Sequence, residues 1–352
     1  MEIQFLPARF GDAIIVDYET NGEKRRFLID GGTRGTRHDI RKVLQDGLTN
    51  LELVVVSHID RDHIEGVLAM LEEADPGFTT RDFWFNAWDH LPKVGGETFS
   101  VEQGERLSKL LRETPVPWNK DFNGKAVKIP NAGDLPVVDL DGDMKLTLIG
   151  PTHQNLLDLA PEWEKEVRDA NLDPDFELEE NDEEPVPGPE SFDVVDIPDV
   201  AALANTPFTD DDTNANRSSI AFIAEHDGKR VMFAGDACVE TLLDGLERFA
   251  PGEVVELDLV KIPHHGSPHN ISKDLIDKID CPRWVFSSNG SIFHHPKKEA
   301  VARVVEFVES PEIIFNYRSD ENAIWRESAV QNLHGYTVLC PEVGEKGISV
   351  TL

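Results

Sequence analysis

Cysteine is scarce in this chain of 352 residues. Cys238, Cys281 and Cys340 are odd in number and scattered, which argues against a disulfide framework or a zinc ribbon and predicts a reducing, cytoplasmic setting. Cys238 lies two residues past Asp236, and a small buried hydrophobe is the expectation there. No run approaches the roughly 18 apolar residues that a membrane span requires. No basic leader is expected either, since Met1-Glu2-Ile3-Gln4 reads as strand-like. Basic residues are few, 34 Lys and Arg against 67 Asp and Glu, for a formal charge of −33. Such a balance repels a polyanion and weakens counterion-release binding. About half of that charge is local, because residues 161–213 hold 19 acidic and 2 basic side chains. The core of that segment, 177–189, has too little apolar surface to offset its ordering entropy and is expected to be a mobile insertion. It can screen a cleft from nucleic acid, dock a basic protein partner, or be a solvated loop without a role.

What is present suffices for one large α/β domain, given 39% hydrophobic residues over this length. Strands are predicted near 2–6, 13–18, 26–29 and 52–56, with a helix around 40–45. Helical spacing of Val67, Leu68, Met70 and Leu71 predicts a helix over 65–74. Residues 82–88 are aromatic-rich and strand-like, so Phe83, Trp84, Phe85 and Trp88 are expected as core or cleft wall. An amphipathic helix is predicted at 101–112 and a hairpin at 136–149. Helices near 239–248, 273–279 and 299–308 alternate with strands in the second half. There is no repeat beyond a loose two-half symmetry.

Four metal-capable side chains crowd into six positions at His58-Ile59-Asp60-Arg61-Asp62-His63, directly after the apolar run 51–56. A strand ending in such a cluster delivers imidazole nitrogen and carboxylate oxygen to one point at a sheet edge. One divalent ion would take His58 and Asp60, and a second would take Asp62 and His63. The competing reading is a polar loop capping the helix that follows. Three more segments repeat the pattern: 26–29 leads into Asp30-Gly31-Gly32, 230–233 into Ala234-Gly235-Asp236, and 257–262 into Pro263-His264-His265-Gly266-Ser267. Each polar residue follows a short apolar strand, where a carboxylate such as Asp236 can bridge two cations. Singly, Asp30 and Asp236 also read as turn residues beside glycine.

Taken in order, Leu28-Ile29-Asp30-Gly31-Gly32, His58-x-Asp60-x-Asp62-His63, Ala234-Gly235-Asp236 and His264-His265-Gly266-Ser267 resemble the metallo-β-lactamase superfamily. The likeness is greatest to the hydrolase domain of ComEC-type competence proteins and their soluble relatives. It extends to the opening Gln4-Phe5-Leu6-Pro7-Ala8-Arg9-Phe10-Gly11-Asp12-Ala13, to Asn216-Arg217-Ser218-Ser219-Ile220 and to His295-Pro296. This resemblance implies an αββα sandwich spanning 1–352 as one domain, with insertions at 76–135 and at the acidic 156–213. It also implies two divalent ions held by His58, Asp60, Asp62, His63, Asp236 and His265. Asp30 is expected to orient the histidine loop by hydrogen bonds rather than touch metal. Two departures matter. Asp60 stands where the superfamily has a second histidine, and residues 213–219 offer Asn214, Asn216 and serines where a further histidine is usual. Oxygen in place of nitrogen makes the first position harder, suiting manganese or magnesium better than zinc. His265 is the better match to the family ligand because glycine follows it, and His264 is left open as ligand, supporting group or substrate contact.

By the same likeness, Asp62 orients a metal-activated hydroxide and takes its proton. His295, beside His294, is the candidate for protonating the leaving group, with an exposed loop near Lys297 and Lys298 as the alternative. Paired divalent ions suit displacement at phosphorus, and Asn216, Ser267 and Lys297 are candidate contacts for phosphate oxygens. A phosphodiester, nucleic acid or nucleotide, is thus the expected substrate, and nuclease activity, with a part in defence against foreign DNA, follows by analogy alone. Two other readings stand: a binding or regulatory module that retains the metal fold within a larger complex, and a hydrolase of a neutral ester, amide or lactone.

Overall fold

Strand faces alternate by the two-residue period of a pleated chain, and this period sorts the core into layers. The computed structural model describes residues 1–92, 106–169 and 197–352. In the strand Ile14–Thr20, Ile14 and Val16 join a cluster with Phe27, Ile29, Leu53 and Val55, while Ile15 turns to the opposite side. The same inner cluster takes Leu146, Leu148, Phe222, Ala224, Phe233 and Val285 from a second sheet, so two sheets pack face to face.

The first sheet runs in the order Ile348–Thr351, Glu2–Phe5, Ile14–Thr20, Glu23–Ile29, Leu53–Val55, Phe83–Trp84. The second runs Thr337–Leu339, Glu312–Phe315, Arg283–Phe286, Leu259–Lys261, Lys229–Phe233, Ala221–His226, Met144–Gly150, Val137–Leu140. Each sheet mixes antiparallel hairpins with a parallel set: Glu23–Ile29, Leu53–Val55 and Phe83–Trp84 in one, and the five strands from Lys229–Phe233 to Thr337–Leu339 in the other.

Helices cover both outer faces. On the first sheet, Val67, Leu68 and Leu71 of the helix Arg61–Glu72 pack on Ile15, Leu28, Val54 and Val56. On the second, Leu242 and Leu246 of Val239–Phe249 and Val301 and Val304 of Lys298–Phe307 pack on Ile223, Met232, Val260 and Trp284. Each such aliphatic side chain contributes about 1.5–3 kcal/mol by leaving water. The result is a mixed α/β fold. Among the described residues no helix is long and apolar enough to cross a membrane.

The structure adjusts several sequence expectations. The helix expected over 65–74 begins at Arg61, because Asp60 holds extended backbone and starts it at once; Asp62 and His63 therefore ride on its first turn. Of 82–88, only Phe83–Trp84 is strand, followed by a short 3-10 turn at Trp88–His90, although Phe83, Trp84 and Phe85 are fully buried as core. The helix expected over 101–112 is described from Arg106, as Arg106–Glu113, and the acidic stretch 177–189 lies outside the described residues. Helices Val239–Phe249, Lys273–Asp277 and Lys298–Phe307 fall where predicted. Cys238 and Cys281 are buried and Cys340 is half-buried, all three with free thiols.

Candidate metal centre

Parallel strands deliver loops from their C-terminal ends to one rim, the place where α/β sheets present ligand sites. Glu23–Ile29 ends before Asp30, Leu53–Val55 before His58, Lys229–Phe233 before Asp236, and Leu259–Lys261 before His264 and His265. Two close approaches fix the loops against one another. A Cβ on Gly11 would lie 1.8 Å from the carbonyl oxygen of Asp62, an oxygen that accepts from the Asp12 amide at 3.1 Å. Gly235, in the left-handed region with φ +53°, backs onto Ser57, whose Cβ would be 2.9 Å from a side chain there. Only glycine fits both requirements at position 235.

Asp236 is the hub. Its carboxylate lies 4.0 Å from His58 Nε2, 3.4 Å from His63 Nε2, 3.9 Å from His264 Nε2 and 3.6 Å from His265 Nε2. The partners of the other ring nitrogens fix which protons these rings carry. His265 Nδ1 faces the Ser287 carbonyl at 2.9 Å, which only accepts, so Nδ1 carries hydrogen. His63 Nδ1 donates to Asp30 Oδ2 at 2.9 Å. Ser57 Oγ donates its one proton to Asp30 Oδ2 at 2.9 Å, so it accepts from His58 Nδ1 at 3.0 Å. His264 Nδ1 faces Asp211 Oδ2 and Asn270 Oδ1, each at 3.0 Å. Four imidazoles thus turn Nε2 toward one carboxylate.

That arrangement calls for cations. His63 Nε2 and His265 Nε2 stand 3.2 Å apart, two lone pairs facing each other unless something positive lies between them or one ring is protonated. His58 Nε2 and Asp236 Oδ1 are buried and make no hydrogen bond, a state that costs free energy without a counter-partner. The donors fall into two groups that share Asp236. Asp60 Oδ2 is 3.4 Å from His58 Nε2; Asp62 Oδ2 is 3.4 Å from His265 Nε2 and 3.9 Å from His63 Nε2. Nitrogen and carboxylate oxygen in this mix fit divalent transition ions. Nor does Asp60 serve as a helix cap: its side chain accepts no bond from the helix amides.

Electrostatics agree with the geometry. Burial alone would raise the Asp236 carboxyl, but His63, His265 and His264 hold it well below the usual range. Burial likewise raises Asp62, and His63 and His265 outweigh it, so its pKa is lowered. Burial pulls both His63 and His265 down, yet Asp236 and neighbouring carboxylates win, lifting His63 well above its ordinary value and His265 to about 9. The cluster stabilises positive charge.

Asp30 sits behind the cluster in the left-handed region, φ 58°, gripping the Ser57 amide at 2.6 Å, the Ser57 hydroxyl and His63. Asp12 is a second such support that sequence reasoning passed over. Its carboxylate binds Lys261 Nζ and Ser287 Oγ and approaches His265 from the Nδ1 side at 3.6 Å, away from the inward-facing nitrogens. Burial would raise Asp12, but Lys261 holds it well below the carboxylate range. Asp12 therefore lies near His63, Asp236 and His265 as their backing rather than as a ligand.

His264 is the most open of the four imidazoles, about a quarter exposed. Asn216, buried, donates to Asp211 at 2.8 Å and leaves its own Oδ1 without a partner. Ser267 Oγ accepts from the His269 amide at 3.2 Å, closing the loop. Lys297 begins the helix Lys298–Phe307, and its amide donates to Gly266 at 3.0 Å. His295 is buried with Nδ1 unpartnered, its ring centroid 5.3 Å from that of His264. Burial, then His264 and His265, push it down to about 3, so its ring is neutral near pH 7 and is no ready acid for a leaving group. His294 is exposed and faces Glu321 at 2.9 Å. Cys238 Sγ contacts Thr241 Oγ1 at 3.2 Å, in keeping with a buried small side chain.

No protein-family model matches the chain, and no curated protein matches it. Among solved structures it is similar to CmlA, a diiron beta-hydroxylase from Streptomyces venezuelae, and to a point mutant of CmlA. Identity is 13% and the TM-score 0.42 in both cases, covering 100% of this chain and 54% of the other. The chain thus spans about half the length of those proteins. It is also similar to a protein of unknown function from Enterococcus faecalis V583, at 10% identity and TM-score 0.30, over 98% of this chain and 77% of that one. At these values the likeness carries nothing about chemistry.

Proposed function

We propose that this chain is a metal-dependent hydrolase of phosphodiesters, acting in a cytoplasmic setting and built as a metallo-β-lactamase αββα sandwich. The observation that carries the reading is the gathering of four imidazole Nε2 atoms and the Asp60 and Asp62 carboxylates around Asp236. His58, Asp60 and Asp236 would hold one divalent ion, and Asp62, His63, His265 and Asp236 a second. When bound, such ions lower the pKa of coordinated water to about 7 and polarise a phosphoryl oxygen. Asp60 in the first group makes that position the harder one, in favour of manganese or magnesium there.

The chain's own residues supply positioning and proton handling. Asp62, on the first helical turn and 12% exposed at its side chain, is placed to orient a nucleophile and receive its proton. Asp30 and Asp12 lock the rings of His63 and His265 from behind, so their donors are set before substrate arrives. His264, steered by Asp211, stands at the opening beside Asp236 and is the residue we assign to the substrate's departing oxygen. Neutral His295 backs it, ring against ring at 5.3 Å.

The test is a substrate panel of linear and circular DNA, RNA, cyclic dinucleotides and model phosphodiesters with manganese, magnesium and zinc. Hydrolysis that disappears in Asp62→Ala and Asp236→Ala, with the fold retained by circular dichroism, supports the proposal. Metal binding without hydrolysis of any member rejects it in favour of a binding module.

A further inference from the structure

Beside the candidate metal centre lies an apolar feature that the proposed chemistry does not use. Ile292 and Phe293 are 54% and 48% exposed, on the loop that continues to His295. Exposed large apolar residues are ordinary when single and loose; these are adjacent and held. Asn289 donates its amide to the Arg9 carbonyl at 2.8 Å, and Ser291 donates to Asn289 Oδ1 at 3.0 Å. His294 donates its amide to the Gly290 carbonyl at 3.2 Å, and its ring is anchored by Glu321. Gly290 is pressed so closely on Glu321 that a Cβ there would meet the carboxylate at 2.1 Å. The loop is tied down by these contacts, and its apolar side chains are left in water.

Their rings form a series that leads to the metal cluster. Phe10 meets Phe293 edge to face at 5.7 Å, and Phe293 lies over His295 at 6.2 Å with 28° between planes. His295 is 5.3 Å from His264, whose Nε2 is 3.9 Å from Asp236. The series runs outward from Asp236 past His264 and His295 to Phe293, so a base carried on a phosphodiester held at Asp236 has an exposed aromatic face on that side of the cluster. We infer that Phe293, flanked by Phe10 and Ile292, is a stacking platform for the base of a nucleotidyl phosphodiester. The inference rests on the phosphodiesterase reading and narrows it: the substrate carries a nucleobase next to the scissile phosphate. Stacking on an aromatic face tolerates any base, so the platform selects for a base without selecting which one.

The experiment compares a dinucleotide with the same molecule made abasic, using manganese-loaded full-length protein. Wild type is expected to show a KM roughly tenfold lower for the dinucleotide, the order of effect of one base–aromatic stack. In Phe293→Ala that ratio falls toward one, and Phe293→Trp restores it. Equal KM values in wild type, or a preference that survives Phe293→Ala, overturns the platform. A second readout separates this failure from failure of the hydrolase reading. A 2-aminopurine dinucleotide is titrated onto metal-loaded protein and base stacking is followed by fluorescence quenching. Saturable quenching lost in Phe293→Ala upholds the platform even if nothing is cleaved, and absence of saturable quenching rejects it.

Discussion

Replacing Lys261 by Met removes the ammonium from a pair in which both side chains are 1% exposed. Asp12 would keep the Ser287 hydroxyl and the edge of His265 3.6 Å away, and lose its ammonium partner. Breaking a buried pair in this way costs about 3–5 kcal/mol. Protonation sets a ceiling, because an aspartate of ordinary pKa near 3.9 can be neutralised at pH 7 for roughly 4 kcal/mol. At pH 5 the same neutralisation costs about 1.5 kcal/mol. The sign follows from proton counts. The folded variant holds a proton on Asp12 that its unfolded chain releases above pH 3.9, so the variant loses stability as pH rises, by about 1.4 kcal/mol per unit. Wild-type Asp12 is ionised in both states over this range and adds no slope. With an unfolding entropy of about 2.1 cal/mol/K per residue, a 4 kcal/mol loss lowers the midpoint of this chain by roughly 5 °C. Thermal melts of chelator-treated protein at pH 5, 6 and 7 measure it, and Asp12→Asn combined with Lys261→Met should recover most of the loss. A single variant that loses under 1 kcal/mol at pH 7, or as much at pH 5 as at pH 7, refutes the buried-pair account.

Asp30→Ala removes the acceptor that fixes the His63 ring, and metal affinity should fall about 10- to 100-fold while far-ultraviolet dichroism stays put; calorimetric titration with manganese decides, and equal affinity would remove Asp30 from its supporting role. His90 gives the pH dependence: burial lowers it to about 4, and its Nδ1 accepts from the Ala87 amide at 3.2 Å. Its folded pKa lies below the unfolded value near 6.5, so this contribution is complete above pH 6.5 and is lost as pH falls toward 4, by up to about 3 kcal/mol. His90→Asn should flatten the urea midpoint across that window, and an unaltered slope would contradict the assignment.

Strand ends were legible because apolar runs break at residues that water or metal must satisfy. Asp30, His58, Asp236 and His265 all follow such runs, and the structure brings them within one cluster. What escaped was support supplied from elsewhere on the chain. Asp12, Ser57, Asp211, Asn270 and Ser287 act through hydrogen bonds to a ring nitrogen or to one another, and sequence spacing does not encode which loops will meet. One signal was available: Lys261 interrupts Leu259-Val260-Lys261-Ile262, and a lysine inside a buried strand needs an anion beside it. The role of His264 also depends on contact, since Asp211 and Asn270 together turn its Nε2 toward Asp236. The start of the helix Arg61–Glu72 was missed because Asp60 begins it by backbone conformation, without the side-chain cap that sequence patterns register.

Under the proposed reading, the acidity of the chain and its substrate class are linked. Asp60, Asp62 and Asp236 carry three negative charges, and the neighbouring carboxylates lift His63 and His265, so the cluster attracts positive charge, divalent cations included. Two such ions leave the centre one unit positive, enough to receive a single phosphodiester and too little to hold a long run of them. Around the centre, the remainder of the −33 formal charge acts over a screening length of about 8 Å at physiological salt, disfavouring phosphates that extend beyond the cluster. A polymer would need cationic tracks to offset that repulsion, whereas a short nucleotide needs only one phosphate and one base held. Affinity for short diesters should therefore change little between 50 and 300 mM salt, and a steep loss of binding with salt, the mark of many phosphate contacts, would count for a polymeric substrate instead.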